Sequence, residues 1–180
     1  MSGHSKWSKV KHQKAGTDAA KGAAFTKASR AIWLAVVGAG GIVEPEKNFH
    51  LRLAMEKARA VNMPKDTIDR VIAKAAGEGA GSLESVVYEA IGPGGSALII
   101  TAATDNRQRT VSEIKNVLDR HGARLASPGA VMYQFTRLDY VHFRPTFEIH
   151  LEADAKQTLN TLLAQLHALE DVQEVYTNAS

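Results

Sequence analysis

Apolar positions recur every three to four residues through most of the first 76 residues and change character after Ser82. Phe25, Ala28, Ile32 and Val36 share one helical face, which predicts a helix from about Thr17 to Val37. Gly38, Gly40 and Gly41 end it. A second helix is expected after Pro45, a residue suited to the first helical position, with Leu51, Ala54, Met55 and Ala58 as its core stripe. A third is expected from Pro64, with Ile68, Val71, Ile72 and Ala75 facing inward. Met1 to Gly16 lack an apolar period and read as an extended arm. Gly77 to Ser82 reads as a flexible linker.

Beyond the linker the period shortens to two. Val86–Tyr88 and Ala97–Ile100 read as strands around a Gly92-Pro93-Gly94-Gly95 turn. A helix is expected from Thr110, where Thr110 and Glu113 have capping-box spacing, with Val111, Ile114, Val117 and Leu118 inside and Gly122 as its stop. Val131, Tyr133 and Phe135 alternate as a strand, and so do Phe147, Ile149 and Leu151. The short stretch from Tyr140 to Phe143 extends the hairpin between them. Asp154 opens a helix carrying Leu159, Leu162, Leu163 and Leu166, and Val172 to Tyr176 forms a last strand. The expected class is α+β. An arm plus three-helix domain (1–80) precedes a ferredoxin-like α+β sandwich (81–180), β-α-β-β-α-β with an extra N-terminal strand and both helices on one face.

Charge placement changes this from a fold to a binding module. Residues 1–36 hold seven Lys or Arg against the single acid Asp18, whereas residues 137–180 hold three against seven acids. A basic head on an acidic-tailed body is the footprint of a polyanion binder. The chain has no cysteine, which removes disulfides and thiolate metal sites and fits a reducing compartment. Its longest strongly apolar run, Ala31 to Val37, is far too short to cross a bilayer, and no apolar region follows the basic start as in a secretory signal. The expected location is the cytoplasm. A transit peptide is the alternative, weakened by the lack of arginine in the first 17 residues.

The arm is the most informative stretch for chemistry. His4, Ser5, Lys6, Trp7, Lys9, Lys11, His12 and Lys14 interleave cations, hydrogen-bonding groups and one ring, as phosphates and unstacked bases require. Lys21, Lys27 and Arg30 continue the charge along the first helix. Trp7 has a bland reading as a hydrophobic anchor, and the lysines have one as a solvated surface. Arg107 and Arg109 lie between a strand and a helix N-terminus, where free N–H groups suit an anion; the bland reading is a cap with surface arginines. Gly92–Gly95 lacks the lysine and following helix of a phosphate loop and is taken as a turn. His4 and His12 do not form a zinc pattern, and no histidine or acid pair assembles a reaction, so no metal, cofactor, small-molecule substrate or catalytic residue is expected.

Several blocks then resemble one family from end to end: Gly3-His4-Ser5-Lys6-Trp7, Lys11-His12, Phe25-Thr26-Lys27, Asn62-Met63-Pro64-Lys65-Asp66, Gly92-Pro93-Gly94-Gly95, Asp105-Asn106-Arg107 with Arg109-Thr110, and Asp171-Val172-Gln173-Glu174-Val175-Tyr176. They resemble the YebC/PmpR family, which includes the mitochondrial translational activator of cytochrome c oxidase. The resemblance implies a bacterial transcriptional regulatory protein with ribosome-linked relatives, built from a helical domain and two α+β domains. The chain departs from that pattern by passing from Phe135 to Phe147 in a dozen residues, so the family's inserted third domain is expected to be absent after about residue 136.

The expected function is a non-enzymatic regulator of gene expression that binds nucleic acid, either ribosomal or structured RNA as a translation factor or DNA as a transcriptional regulator. A flexible basic arm with one Trp favours irregular RNA, with the ribosome behind it and no membrane partner. The rival class is a protein-interaction adaptor whose basic head meets an acidic protein.

Overall fold

The structure, a computed structural model, describes residues 4–77 and 83–180, with side chains from Lys21 onward. The expected linker therefore lies, Gly77 apart, outside the described residues. The chain forms two compact units, Met1–Ala76 and Gly77–Ser180.

The first unit is three helices: α1 (His4–Gly38), α2 (Phe49–Ala60) and α3 (Lys65–Ala76). The arm expected to be extended is instead helical from His4, so α1 runs for 35 residues. The signal is propensity, not periodicity: Lys11 to Ala24 is rich in Ala and Lys, which hold a helix without an apolar stripe. Towards its C-terminal end α1 is buried at Arg30, Ile32, Trp33, Leu34, Ala35 and Val36, positions spread around the whole helix. It packs against both α2 and α3.

Helix α2 begins later than Pro45 suggests. Lys47 N and Asn48 N both donate to Glu44 O, closing a turn that holds Pro45 outside the helix. Asn48 is the cap: its Oδ1 accepts from Leu51 N at 3.0 Å, while its Nδ2 donates to Ala35 O at 2.8 Å and Ile42 O at 2.9 Å. One buried amide thus ties α1, the connecting loop and α2 together. Asn48→Ala is expected to destabilise the protein by about 2–4 kcal/mol, the loss of a cap plus two stranded carbonyls. Urea unfolding of the full chain measures it, and Asn48→Asp, which keeps the cap oxygen but turns a buried carboxylate towards the Ala35 and Ile42 carbonyls, should be no more stable than Asn48→Ala.

The second unit is a four-stranded antiparallel sheet, in the order Arg124–Ala126, Glu84–Ile91, Ala97–Thr104, Val172–Thr177, and a separate two-stranded sheet. Its elements are β1 (Glu84–Ile91), β2 (Ala97–Thr104), α4 (Arg107–Arg120), β3 (Arg124–Ala126), β4 (Phe135–Arg137), β5 (Phe143–Pro145), α5 (Ala153–Ala168) and β6 (Val172–Thr177). Ile114, Val117 and Leu118 of α4 and Leu159, Leu162 and Leu166 of α5 share one core with Leu98, Ile100 and Val172. Both helices therefore cover one face, as expected. The other face buries Ala97 and Ile99 against Val131, Phe135 and Phe143, under the small hairpin. The β1–β2 turn needs its glycine: Gly94 has φ +66°, and a Cβ there would meet Leu151 Cδ2 at 2.6 Å.

The α+β class holds, but its strands are redistributed. The strand expected as an N-terminal extra, β1, is central, and the edge strand β3 has no counterpart in the expected pattern. Residues 131–135 do not join the main sheet. The buried Glu89 carboxylate accepts from Gly129 N at 2.6 Å, Val131 N at 2.8 Å and Met132 N at 2.9 Å, bending that backbone into a turn. The segment from Phe147 to Leu151 is likewise not a strand, and only Ile149 bridges, to Ala179. Helix α4 starts at Arg107 with Asn106 as its cap, not at Thr110, which is buried within its first turns.

Candidate nucleic-acid interface

Thirty-five residues of helix make α1 about 52 Å long. Two 12-residue helices of about 18 Å each cannot line it along its length. Lys21, Gly22 and Ala23, three successive positions spanning more than half the circumference, are all exposed. The N-terminal half thus leaves the three-helix packing as a rod.

His4, Ser5, Lys6, Trp7, Lys9, Lys11, His12 and Lys14 all belong to this half, and their side chains lie outside what the structure describes. Helical spacing puts positions 7, 11, 14, 18 and 21 in one row, with 6 and 9 on another side. These lysine positions therefore spread over an arc of about 200°, wider than a single stripe. Lys21 is exposed and Lys27 half-buried and engaged within the protein. Arg30 corrects the expectation. It is only 6% exposed and engaged inside the protein, because this part of α1 is buried on all sides.

The Asp105–Thr110 junction is occupied by its own hydrogen bonds. Asn106 Oδ1 accepts from Arg109 N at 3.0 Å and Thr104 Oγ1 accepts from Asn106 N at 2.8 Å. Arg109 Nη2 reaches Asp105 Oδ1 at 2.6 Å and Asp171 Oδ2 at 3.0 Å. Thr104 and Thr110 hydroxyls also donate to Asp171 Oδ2, at 3.1 and 2.5 Å. Hydrogen bonds from Arg109 to Asp171, then to Asp105, hold the guanidinium proton more tightly than usual. Arg109 is thus held by two carboxylates of its own unit, with its side chain 42% exposed. Arg107 is exposed, with Nε at 2.9 Å from Glu84 Oε2, a solvated pair that an anion can exchange. Asp171, the buried hub, is invisible to periodicity: it lies about 60 residues away from the groups it joins.

The Gly92–Ser96 turn spends its amides internally: Gly92 N donates to Ser96 O, Gly95 N to Gly92 O and Ser96 N to Pro93 O. It is a turn, as expected. At the β4–β5 tip, burial raises the Asp139 carboxyl, but hydrogen bonds from Val141 N, His142 N and His142 Nδ1 outweigh it and leave its pKa below the ordinary value. No helix among the described residues is long and apolar enough to cross a membrane.

Comparison with known proteins follows the same division. Residues 5–78 match the family model described as the TACO1/YebC protein N-terminal domain, and residues 83–146 that of the TACO1/YebC second and third domain. A "Probable transcriptional regulatory protein" of Lactiplantibacillus plantarum is 39% identical over 179 residues, covering 99% of this chain and 73% of the relative. Proteins of the same description from Thermoanaerobacter pseudethanolicus and Finegoldia magna are 46% and 48% identical over 142 and 138 residues, and the chain spans 57% and 56% of their lengths. The crystal structure of a conserved hypothetical protein from Aquifex aeolicus is similar at a TM-score of 0.74 and 29% identity, over 91% of each chain.

Proposed function

Because the chain belongs to the TACO1/YebC family, we propose that it is a regulator of gene expression that binds nucleic acid through the N-terminal half of α1. One observation carries the reading: a helix that begins at His4 and holds lysines at 6, 9, 11, 14 and 21 on more than one side, against the single acid Asp18. A rigid rod with cations on opposite sides reaches phosphates on both walls of a groove, and the B-DNA major groove admits an α-helix. Duplex DNA is the first reading, in keeping with the transcriptional role in the relatives' names. The sequence favours RNA on a flexible arm, on arginines at a strand-to-helix junction and on ribosome-linked relatives, and the helical arm bears on the first of these. Lys27 and Arg107 are flanking contacts in this proposal, while Arg30 and Arg109 drop out of it.

A second reading, structured RNA and a role in translation, is favoured by a different feature: the 74% exposed ring of Tyr133 in the second unit, suited to an unpaired base. In both readings the protein is a cytoplasmic regulator and not a catalyst. Only five residues join β4 to β5, so in this proposal the family's inserted domain is absent and its tasks fall to other surfaces.

The test competes promoter duplexes against ribosomal RNA fragments for the full chain at matched, near-physiological salt. The first reading expects the duplex to win, with log affinity falling against log salt by about 0.9 per phosphate contact. RNA displacing duplex would give the translational reading first place. A partner that stays bound after nuclease digestion would overturn both in favour of a protein adaptor.

A further inference from the structure

Three features of the described residues lie outside the α1 interface. The apolar cluster of Ile42, Val43, Phe49 and Leu53 in the first unit has nothing on its surface to name an occupant. The buried Glu89 carboxylate is taken up by the amides of Gly129, Val131 and Met132. The third is the ion pair of Arg107 and Glu84, and it is exposed.

Arg107 is the first residue of α4 and Glu84 the first of β1. Sheet register sets Glu84 across from Thr104, three residues before Arg107. Thr104 is fully buried; its Oγ1 accepts from Asn106 N at 2.8 Å and donates to Asp171 Oδ2 at 3.1 Å. The backbone that carries both charges is therefore fixed. One contact joins the pair, Arg107 Nε to Glu84 Oε2 at 2.9 Å, with the side chains 63% and 62% exposed. Neither side chain makes a second hydrogen bond or ion pair among the described residues. Both Nη groups of Arg107 and Oε1 of Glu84 are left over, donors beside an acceptor.

A phosphate gains little from such a pair. A phosphodiester offers acceptors only, so by taking Arg107 it leaves the Glu84 carboxylate beside a second anion, and attraction and repulsion nearly cancel. The surroundings add no surplus cation, because Arg109 is matched by Asp105 and Asp171. A ligand edge with acceptors next to an amino donor satisfies both residues without separating them. In the B-DNA major groove a G·C pair presents that order: guanine N7 and O6 accept, and cytosine N4 donates. An A·T pair breaks the run of acceptors with the adenine N6 amino group.

We propose that the Arg107–Glu84 pair reads a base edge instead of a phosphate, with Arg107 donating to guanine O6 and N7 and Glu84 accepting from cytosine N4 of one G·C pair. Phosphate contacts position a protein on duplex DNA, and base-edge contacts give it sequence preference. The lysines of α1 then supply affinity, and this pair supplies preference. The inference rests on the duplex-DNA reading but uses a different surface, so the two are tested separately.

A pool of duplexes with about 12 randomised base pairs, slightly more than one helical turn, is selected on the full chain. Anisotropy then compares the selected duplex with its single-pair replacements. Arg107→Ala/Glu84→Ala removes one charge of each sign, so net charge and non-specific binding should not change. At one G·C position the parent should lose about 5- to 150-fold on replacement by A·T, the discrimination of one bidentate contact. The double variant should bind both duplexes alike, at the weaker affinity. Replacing that guanine by 7-deazaguanine, which lacks the N7 acceptor, should weaken the parent and not the variant. Parent and variant should share one slope of log affinity against log salt, whereas loss of a phosphate contact would flatten it by about 0.9 and weaken every duplex equally. The pair is exposed, so an unchanged thermal transition shows that the fold is kept, and the 7-deazaguanine result on the parent stands without the variant. A parent that selects no sequence, a preference kept by the double variant, or uniform weakening with a flattened slope would overturn the proposal and leave duplex binding by α1 standing. A parent that binds ribosomal RNA fragments and no duplex would overturn both.

Discussion

Asp171→Ala is expected to destabilise the protein by about 3–5 kcal/mol, a larger effect than that of Asn48→Ala. Asp171 is 2% exposed and accepts hydrogen bonds from Thr104, Thr110 and Arg109. Its removal leaves a partly covered guanidinium and two buried hydroxyls without their shared acceptor, and each stranded group costs about 1–3 kcal/mol. The same residue joins the end of β2 to the start of β6, since Ala103 N donates to Asp171 O at 2.9 Å. Asp171→Asn preserves shape but turns amide hydrogens towards donors, so it should destabilise about half as much. Urea unfolding of the full chain reads both. A change below about 1 kcal/mol for Asp171→Ala would show that water replaces the carboxylate and that the junction is not closed.

Helical stripes are legible in the sequence where an apolar face meets a single core. The periodicity points Leu51, Ala54 and Ala58 of α2 and Ile114, Val117 and Leu118 of α4 inward, and all six are buried. Periodicity misleads where burial is not one-sided. The C-terminal half of α1 is buried around its circumference, so a position opposite Ile32 does not leave Arg30 solvated. It also misleads where a distant side chain decides backbone shape. The alternation of Val131, Tyr133 and Phe135 has a strand's period, but Glu89, about 40 residues before them, takes the amides a ladder would use. Half of the junction site is legible: Arg107 is an exposed cation, while Arg109 belongs to an acid that no local pattern connects to it.

Reversing Lys9, Lys11 and Lys14 to Glu is expected to lower nucleic-acid affinity more than 100-fold at near-physiological salt. Removing three phosphate-binding cations should flatten the plot of log affinity against log salt by about 2–3 units, and the new repulsion weakens binding further. The fold should be unaffected, because these positions lie in the half of α1 that α2 and α3 do not line. The helix should survive too, since glutamate and lysine have nearly equal helix propensity. Circular dichroism and thermal unfolding check this alongside the binding curve. A variant with the parent's slope would move the interface off α1.

The most direct measurement is photo-crosslinking of the full chain to nucleic acid carrying photoreactive nucleotides, with the attached peptides identified by mass spectrometry. The account expects the dominant crosslinks between residues 4 and 27, with a weaker set near Arg107 and with Asp66 and Asp69 of α3 untouched. Crosslinks concentrated on α3, or absent from α1 altogether, would contradict it.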